Sequence, residues 1–115
     1  MILRLKTVNL EDGMPSVSEA RARLARELQA ARASGFTLVK IIHGYGSSGV
    51  GGDLRIALQA TIRQMQERGE IRGCIFGEDW RASDERTWEL VKRFPDLKSD
   101  RDLGRGNRGI TMVDL

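Results

Sequence analysis

The sequence predicts an α/β chain whose elements run strand, helix, strand, helix, strand, helix, strand. Three observations predict it. Short runs that alternate or are continuously apolar, "MILRLKTVNL", "FTLVKII", "IRGCIF" and "ITMVDL", read as strands. Between them, apolar residues recur at helical spacing. Glycine and proline stand at the borders. With 115 residues, the chain predicts a single domain over residues 1–115, large enough for one core.

Each element has a local reason. In the first strand Ile2, Arg4 and Lys6 alternate with Leu3 and Leu5, and Gly13 and Pro15 break it. Ser16 followed three residues later by Glu19 is a capping box. Behind it Val17, Ala20, Leu24, Leu28 and Ala31 mark the first helix, which Gly35 stops. "FTLVKII" is β-branched, bounded by glycines, and predicts a buried strand. Leu54, Leu58, Ile62 and Met65 mark a second helix ended by Gly69. The order so far favours neighbouring parallel strands joined by right-handed crossovers. "ASDERTWELVKRFP" predicts a third helix capped by Ser83, with Asp84 and Glu85 at its positive end. "DLKSDRDLGRGNRG" is polar and reads as a loop before the last strand.

Composition excludes several classes. One cysteine, Cys74, allows no internal disulfide, and with a single histidine it argues against structural zinc. No apolar run approaches the roughly 18 residues of a membrane span, and the start carries no signal-peptide h-region. The expectation is a cytoplasmic protein without membrane contact. Its net charge of +3 permits a nucleic-acid partner without demanding one.

The chemistry concentrates in "KIIHGYGSSGVGGDLR", Lys40 to Arg55. This loop leaves the end of a strand and opens onto a helix N-terminus, where ligands bind in open α/β sheets. Free N–H groups and the helix dipole suit an anion there. Two nucleotide fingerprints fail on it. "GYGSSG" satisfies G-x-G-x-x-G, but Gly49 stands too far from the helix, and the chain is too short for two nucleotide-binding halves. "GSSGVGGD" has P-loop glycines, but Gly52 and Asp53 replace its Lys and its Ser or Thr. His43 directly before the loop reads as a phosphate donor, an acid or base, or a strand-end structural residue.

These residues carry a family resemblance. "IIHGYGSSGVGGDLR" resembles the His-Gly-x-Gly signature and Leu-Arg helix opening of the small MutS-related (Smr) domain. "GRGNRGITMVDL" is similar to the family's terminal glycine-rich block and last strand, and "VNLEDGMPSVSEA" falls where the family has Leu-Asp-Leu-His-Gly. The resemblance covers nearly the whole chain, apart from an insertion at about residues 77–98. It implies a two-layer α+β sandwich of βαβαββ order, resembling the C-terminal domain of translation initiation factor three, with the extra helix inserted before the last strand. It also implies binding to DNA or RNA and, in several members, endonuclease activity, for which Mg²⁺ or Mn²⁺ is a candidate cofactor. Carried over, His43 and Glu11 are the candidate catalytic residues. Gly44, Tyr45, Gly46, Ser47, Ser48, Gly49, Arg55, Arg105 and Arg108 are the candidate phosphate-binding residues; no metal ligand is assigned. Asn9 stands where the family has Asp, and Glu11 where it has His, with Asp12 inserted. Asn cannot serve as a base, so binding transfers better than cleavage, and the expectation is a weak or inactive endonuclease.

Other residues have a functional and a structural reading each. Glu11 and Asp12 form an acidic metal-binding pair or a solvated turn. Asp53 reads as a ligand or, more readily, as a helix cap. Arg101, Arg105 and Arg108 track a phosphate backbone or form a solvated loop partly offset by Asp100 and Asp102. Trp80 and Trp88 stack on bases or pack the inserted helix with Val91 and Phe94. Cys74 reads as a buried small hydrophobe. The alternatives to a nucleic-acid binder are a binder of a small phosphorylated ligand and a protein-interaction module.

Overall fold

The structure, a computed structural model, describes residues 2–45 and 51–115. The elements are β1 (Leu5–Asn9), α1 (Val17–Ala33), β2 (Leu38–Ile42), α2 (Gly51–Glu67), β3 (Gly73–Phe76), α3 (Glu85–Arg93) and β4 (Ile110–Asp114). Short 3₁₀ turns at Gly77–Asp79 and Pro95–Ser99 flank α3. The class is α+β, in the expected βαβαββ order with one added helix.

Local signals account for the helices. Ser16 Oγ accepts from the Glu19 N–H at 3.1 Å, and the Glu19 carboxylate accepts from the Ser16 N–H at 3.4 Å. This capping box satisfies two N–H groups that the first turn leaves free. α1 buries Ala20, Leu24, Leu28 and Ala31, and α2 buries Leu54, Leu58 and Ile62. Both stripes meet Val8, Val39, Ile41, Cys74 and Val113 of the sheet. The opposite sheet face carries Leu38, Ile75, Ile110 and Met112, which pack against Trp80, Leu90, Val91, Phe94 and Leu97. The segment from Gly77 to Ser99 therefore adds a cover to the second face of the sheet. Strands β2 and β4 are buried on both faces, which explains their nearly continuous apolar character.

The sheet order is β1-β2-β4-β3. β1 and β2 pair in parallel, while β4 runs antiparallel to both β2 and β3. Parallel neighbours thus hold for β1 and β2 alone, because the last strand returns between β2 and β3. The register levels Asn9 with Ile42, Ile42 with Ile110, and Thr111 with Phe76. One end of the sheet therefore receives the loops after β1, β2 and β3 and the loop entering β4.

Two local expectations are corrected, and the two tryptophans divide between their readings. The N-cap of α3 is Asp84, not Ser83, and its carboxylate accepts from the Thr87 N–H at 3.0 Å. α2 begins at Gly51, so Asp53 lies inside its first turn and is not its cap. Trp80 is fully buried, but Trp88 is 46% exposed. The helical period places Thr87, Leu90 and Val91 inward and leaves Trp88 outside that stripe.

Candidate nucleic-acid interface

His43 follows β2 directly and is fully buried. Its Nδ1 lies 2.7 Å from the Gly44 carbonyl oxygen, and its Nε2 lies 2.9 Å from Thr111 Oγ1. A carbonyl only accepts, so Nδ1 carries the proton; burial disfavours the charged ring, which leaves Nε2 to accept from the Thr111 hydroxyl. The ring is therefore neutral, with both nitrogens occupied. Burial is the main force holding its pKa below 6.5. The Gly44 hydrogen bond opposes that shift, the charge of Arg55 adds to it and that of Glu78 opposes it.

Gly44 has φ of +74°, which glycine adopts without strain. A side chain there would also meet the Glu11 carboxylate. The His43 and Gly44 N–H groups both donate to the Gly109 carbonyl, at 2.9 and 3.1 Å. The loop before β4 is thereby fastened to the loop after β2. Tyr45, next along, is 58% exposed. It lines a cavity of about 340 Å³ with Arg105, Gly106, Asn107 and Arg108. Gly46, Ser47, Ser48 and Gly49 lie outside the described residues.

Asn9, standing where a catalytic carboxylate is expected, has a structural task. Its Oδ1 accepts from the N–H groups of Glu11 and Asp12, at 3.0 and 3.1 Å. This side-chain turn shapes the exit from β1. Arg23 clamps the same turn by donating to the Asn9 carbonyl at 3.2 Å. Glu11 and Asp12 are both exposed. Among the described residues, no three His, Cys, Asp or Glu side chains gather as a metal site needs. The two exposed carboxylates alone make no cage for the Mg²⁺ or Mn²⁺ that the family resemblance suggests.

Arg55 does not project into open solvent. It donates to Glu78 Oε2 at 2.6 Å, bridging α2 to the turn after β3. Among the described residues, Arg55 Nε, Glu78 Oε1 and the Gln59 side-chain nitrogen are buried without hydrogen-bond partners. Gln59 lies one helical turn beyond Arg55, so α2 presents both on one side.

Sequence reasoning missed the residue that organises this end of the sheet. Lys40, in β2, is buried and donates to Asp100 Oδ1 at 2.6 Å and to Asp102 Oδ2 at 2.7 Å. Trp80 Nε1 donates to the other Asp100 oxygen at 2.9 Å. Asn107 Nδ2 donates to Asp102 Oδ1 at 3.0 Å, and Asn107 Oδ1 accepts from the Gly109 N–H at 2.8 Å. Burial alone would raise the Asp102 carboxyl. Hydrogen bonds from Lys40 and Asn107, with the charges of Lys40 and Arg101, instead hold it below the usual carboxylate range. The loop before β4 is thus pinned from below by an ion-pair network. Gly77 completes the fit, since any side chain there would strike the Asn107 carbonyl. The signal in sequence was a lysine inside an apolar strand, which is rarely buried unless paired.

This pairing also changes the charge balance. The cation hydrogen-bonded to Asp100 and Asp102 is Lys40, while of the loop arginines the charge of Arg101 also acts on Asp102. Arg101, Arg105 and Arg108 are exposed. Among the described residues, none of the three forms an ion pair.

Fold and site together define a small α+β domain with a basic, glycine-rich face at one end of a mixed sheet. The chain belongs to the Smr domain family, whose family model matches residues 12–74. Among solved structures it is similar to the Smr domain of Thermus thermophilus MutS2, at 23% identity over 96% of each chain with a TM-score of 0.58. That likeness concerns the fold. Among curated proteins, none matches. No helix among the described residues is long and apolar enough to cross a membrane.

Proposed function

We propose that this chain binds DNA or RNA through the loops gathered at the end of the sheet, and that its endonuclease activity is weak or nil. The observation that carries the reading is the pinned loop before β4. It presents Arg105 and Arg108 beside Tyr45, while the neighbouring acids are held by Lys40. Arginines on a fixed loop contact phosphates and set register along a strand. Family membership supports a nucleic-acid role.

The chemistry needed for cleavage is poorly supplied. Hydrolysis of a phosphodiester needs an activated water or hydroxyl and stabilisation of the charge developing on phosphorus. His43 is buried with both ring nitrogens engaged, and acts as a positioning residue that joins β2 to β4. Asn9 has no basic atom and caps a turn. Glu11 reaches Gly44 and is the remaining candidate base. Losing a general base lowers rates about 10²–10⁴-fold.

Purified protein incubated with supercoiled plasmid and with single-stranded RNA, with and without Mg²⁺ or Mn²⁺, tests both halves. Binding without appreciable cleavage is expected, and Arg105→Gln with Arg108→Gln should weaken the binding. Cleavage that collapses in both His43→Ala and Glu11→Gln would overturn the second half. Unchanged binding in the arginine variant would overturn the first.

A further inference from the structure

Tyr45 and the loop before β4 form a built notch. The Tyr45 ring lies against Gly109, where a side chain would meet Tyr45 Cδ1 at 3.4 Å and Asn107 Oδ1 at 3.1 Å. The 340 Å³ cavity beside the ring is walled by Arg105, Gly106, Asn107 and Arg108. That volume sits at the low end of small-ligand sites, roughly 300–1,000 Å³. An exposed aromatic face flanked by two arginines, with a side-chain amide in the wall, matches the chemistry of a base and its adjoining phosphates. Aromatic faces receive bases that have left their own stack, and arginines hold the backbone on either side. In a duplex the base faces cover one another and cannot reach a ring set beside a loop.

We infer that this notch takes one unpaired nucleotide, with its base stacked on Tyr45 and its phosphates on Arg105 and Arg108, so that the preferred ligand is single-stranded or locally unpaired nucleic acid. The inference rests on the nucleic-acid reading above and makes it specific. The other aromatic candidates are not among the residues lining the notch: Trp80 is buried in the core, and Trp88 is exposed on α3.

The experiment compares a short single strand carrying one 2-aminopurine with the corresponding duplex, by fluorescence and anisotropy. Wild-type protein should quench the 2-aminopurine in the single strand. Tyr45→Phe should bind as wild type, because it keeps the ring. Tyr45→Ala should lose about 5- to 150-fold in affinity for the single strand, the range that base stacking supplies, and should lose the quenching. Its duplex affinity should stay within about twofold, since phosphate contacts do not depend on the ring. Equal losses for both ligands, or wild-type quenching by Tyr45→Ala, would overturn the inference and leave the nucleic-acid reading standing. Failure of the wild type to bind either ligand would overturn both.

Discussion

Lys40→Met cuts the network that joins the sheet to the loop before β4. The Lys40 ammonium is the shared partner of two carboxylates whose side chains are 8% and 13% exposed, and it is itself 6% exposed. Methionine keeps most of the volume and removes the charge. Asp100 keeps the Trp80 indole and Asp102 keeps the Asn107 amide, but two negative charges then face each other without a cation. Removing one member of a buried ion pair costs about 3–5 kcal/mol. For a chain of 115 residues the unfolding entropy near the midpoint is about 0.24 kcal/mol/K. The melting temperature at neutral pH should therefore fall by about 12–20 °C, as read by scanning calorimetry. Asp102→Asn placed on Lys40→Met should restore part of the loss, because one uncompensated charge is gone. A fall of under about 3 °C, small beside that range, would refute the reasoning and mean that the carboxylates turn out to water at little cost.

Two further outcomes follow from the same geometry. His43 is held neutral in the folded state, its pKa lowered chiefly by burial, whereas the unfolded chain takes up a proton near 6.5. The unfolded state then binds more protons just below that value, so stability rises with pH up to about 6.5 and is lost as pH falls beneath it. Chemical denaturation at about pH 7 and about pH 5.5 should show this slope, reduced in His43→Gln; a flat profile or the opposite sign would contradict it. Glu78→Gln frees Arg55 from a carboxylate that a phosphate must displace. A pair of this exposure is worth under about 1 kcal/mol, so nucleic-acid affinity should rise about two- to fivefold in direct titration, whereas weaker binding would show that the pair positions Arg55 for its ligand.

The helices were legible because their signals are local. Ser16 and Glu19 sit three apart, and the apolar stripes of α1 and α2 repeat at the helical period. The cap of α3 is ambiguous by one residue in sequence because Ser83 and Asp84 are both competent caps; in the fold the Thr87 N–H donates to Asp84. The place of β4 between β2 and β3 was not legible, since strand neighbours far apart in sequence leave no periodic trace. For the same reason Asp100 and Asp102 looked like counterions of nearby arginines. Their true partner, Lys40, lies 60 and 62 residues away and finds them through the fold. The two glycine loops were visible as candidate sites, and their contact through the Gly109 carbonyl is a product of strand register. Asn9 was visible as a departure from the family pattern. Its use as a turn cap came from hydrogen bonds that the residue type permits but does not dictate.

The salt dependence of single-strand binding tests the central claim most directly. Each phosphate neutralised on a single strand contributes about −0.7 to the slope of log affinity against log salt. Contacts by Arg105 and Arg108 predict a slope of about −1.4 for the wild type, Arg55 being already neutralised by Glu78. In the Arg105→Gln, Arg108→Gln variant the slope should shrink by about 1.4, with weaker binding at every salt concentration. A wild-type slope near zero, or one that the double substitution leaves unchanged, would contradict the assignment of this loop as the nucleic-acid contact.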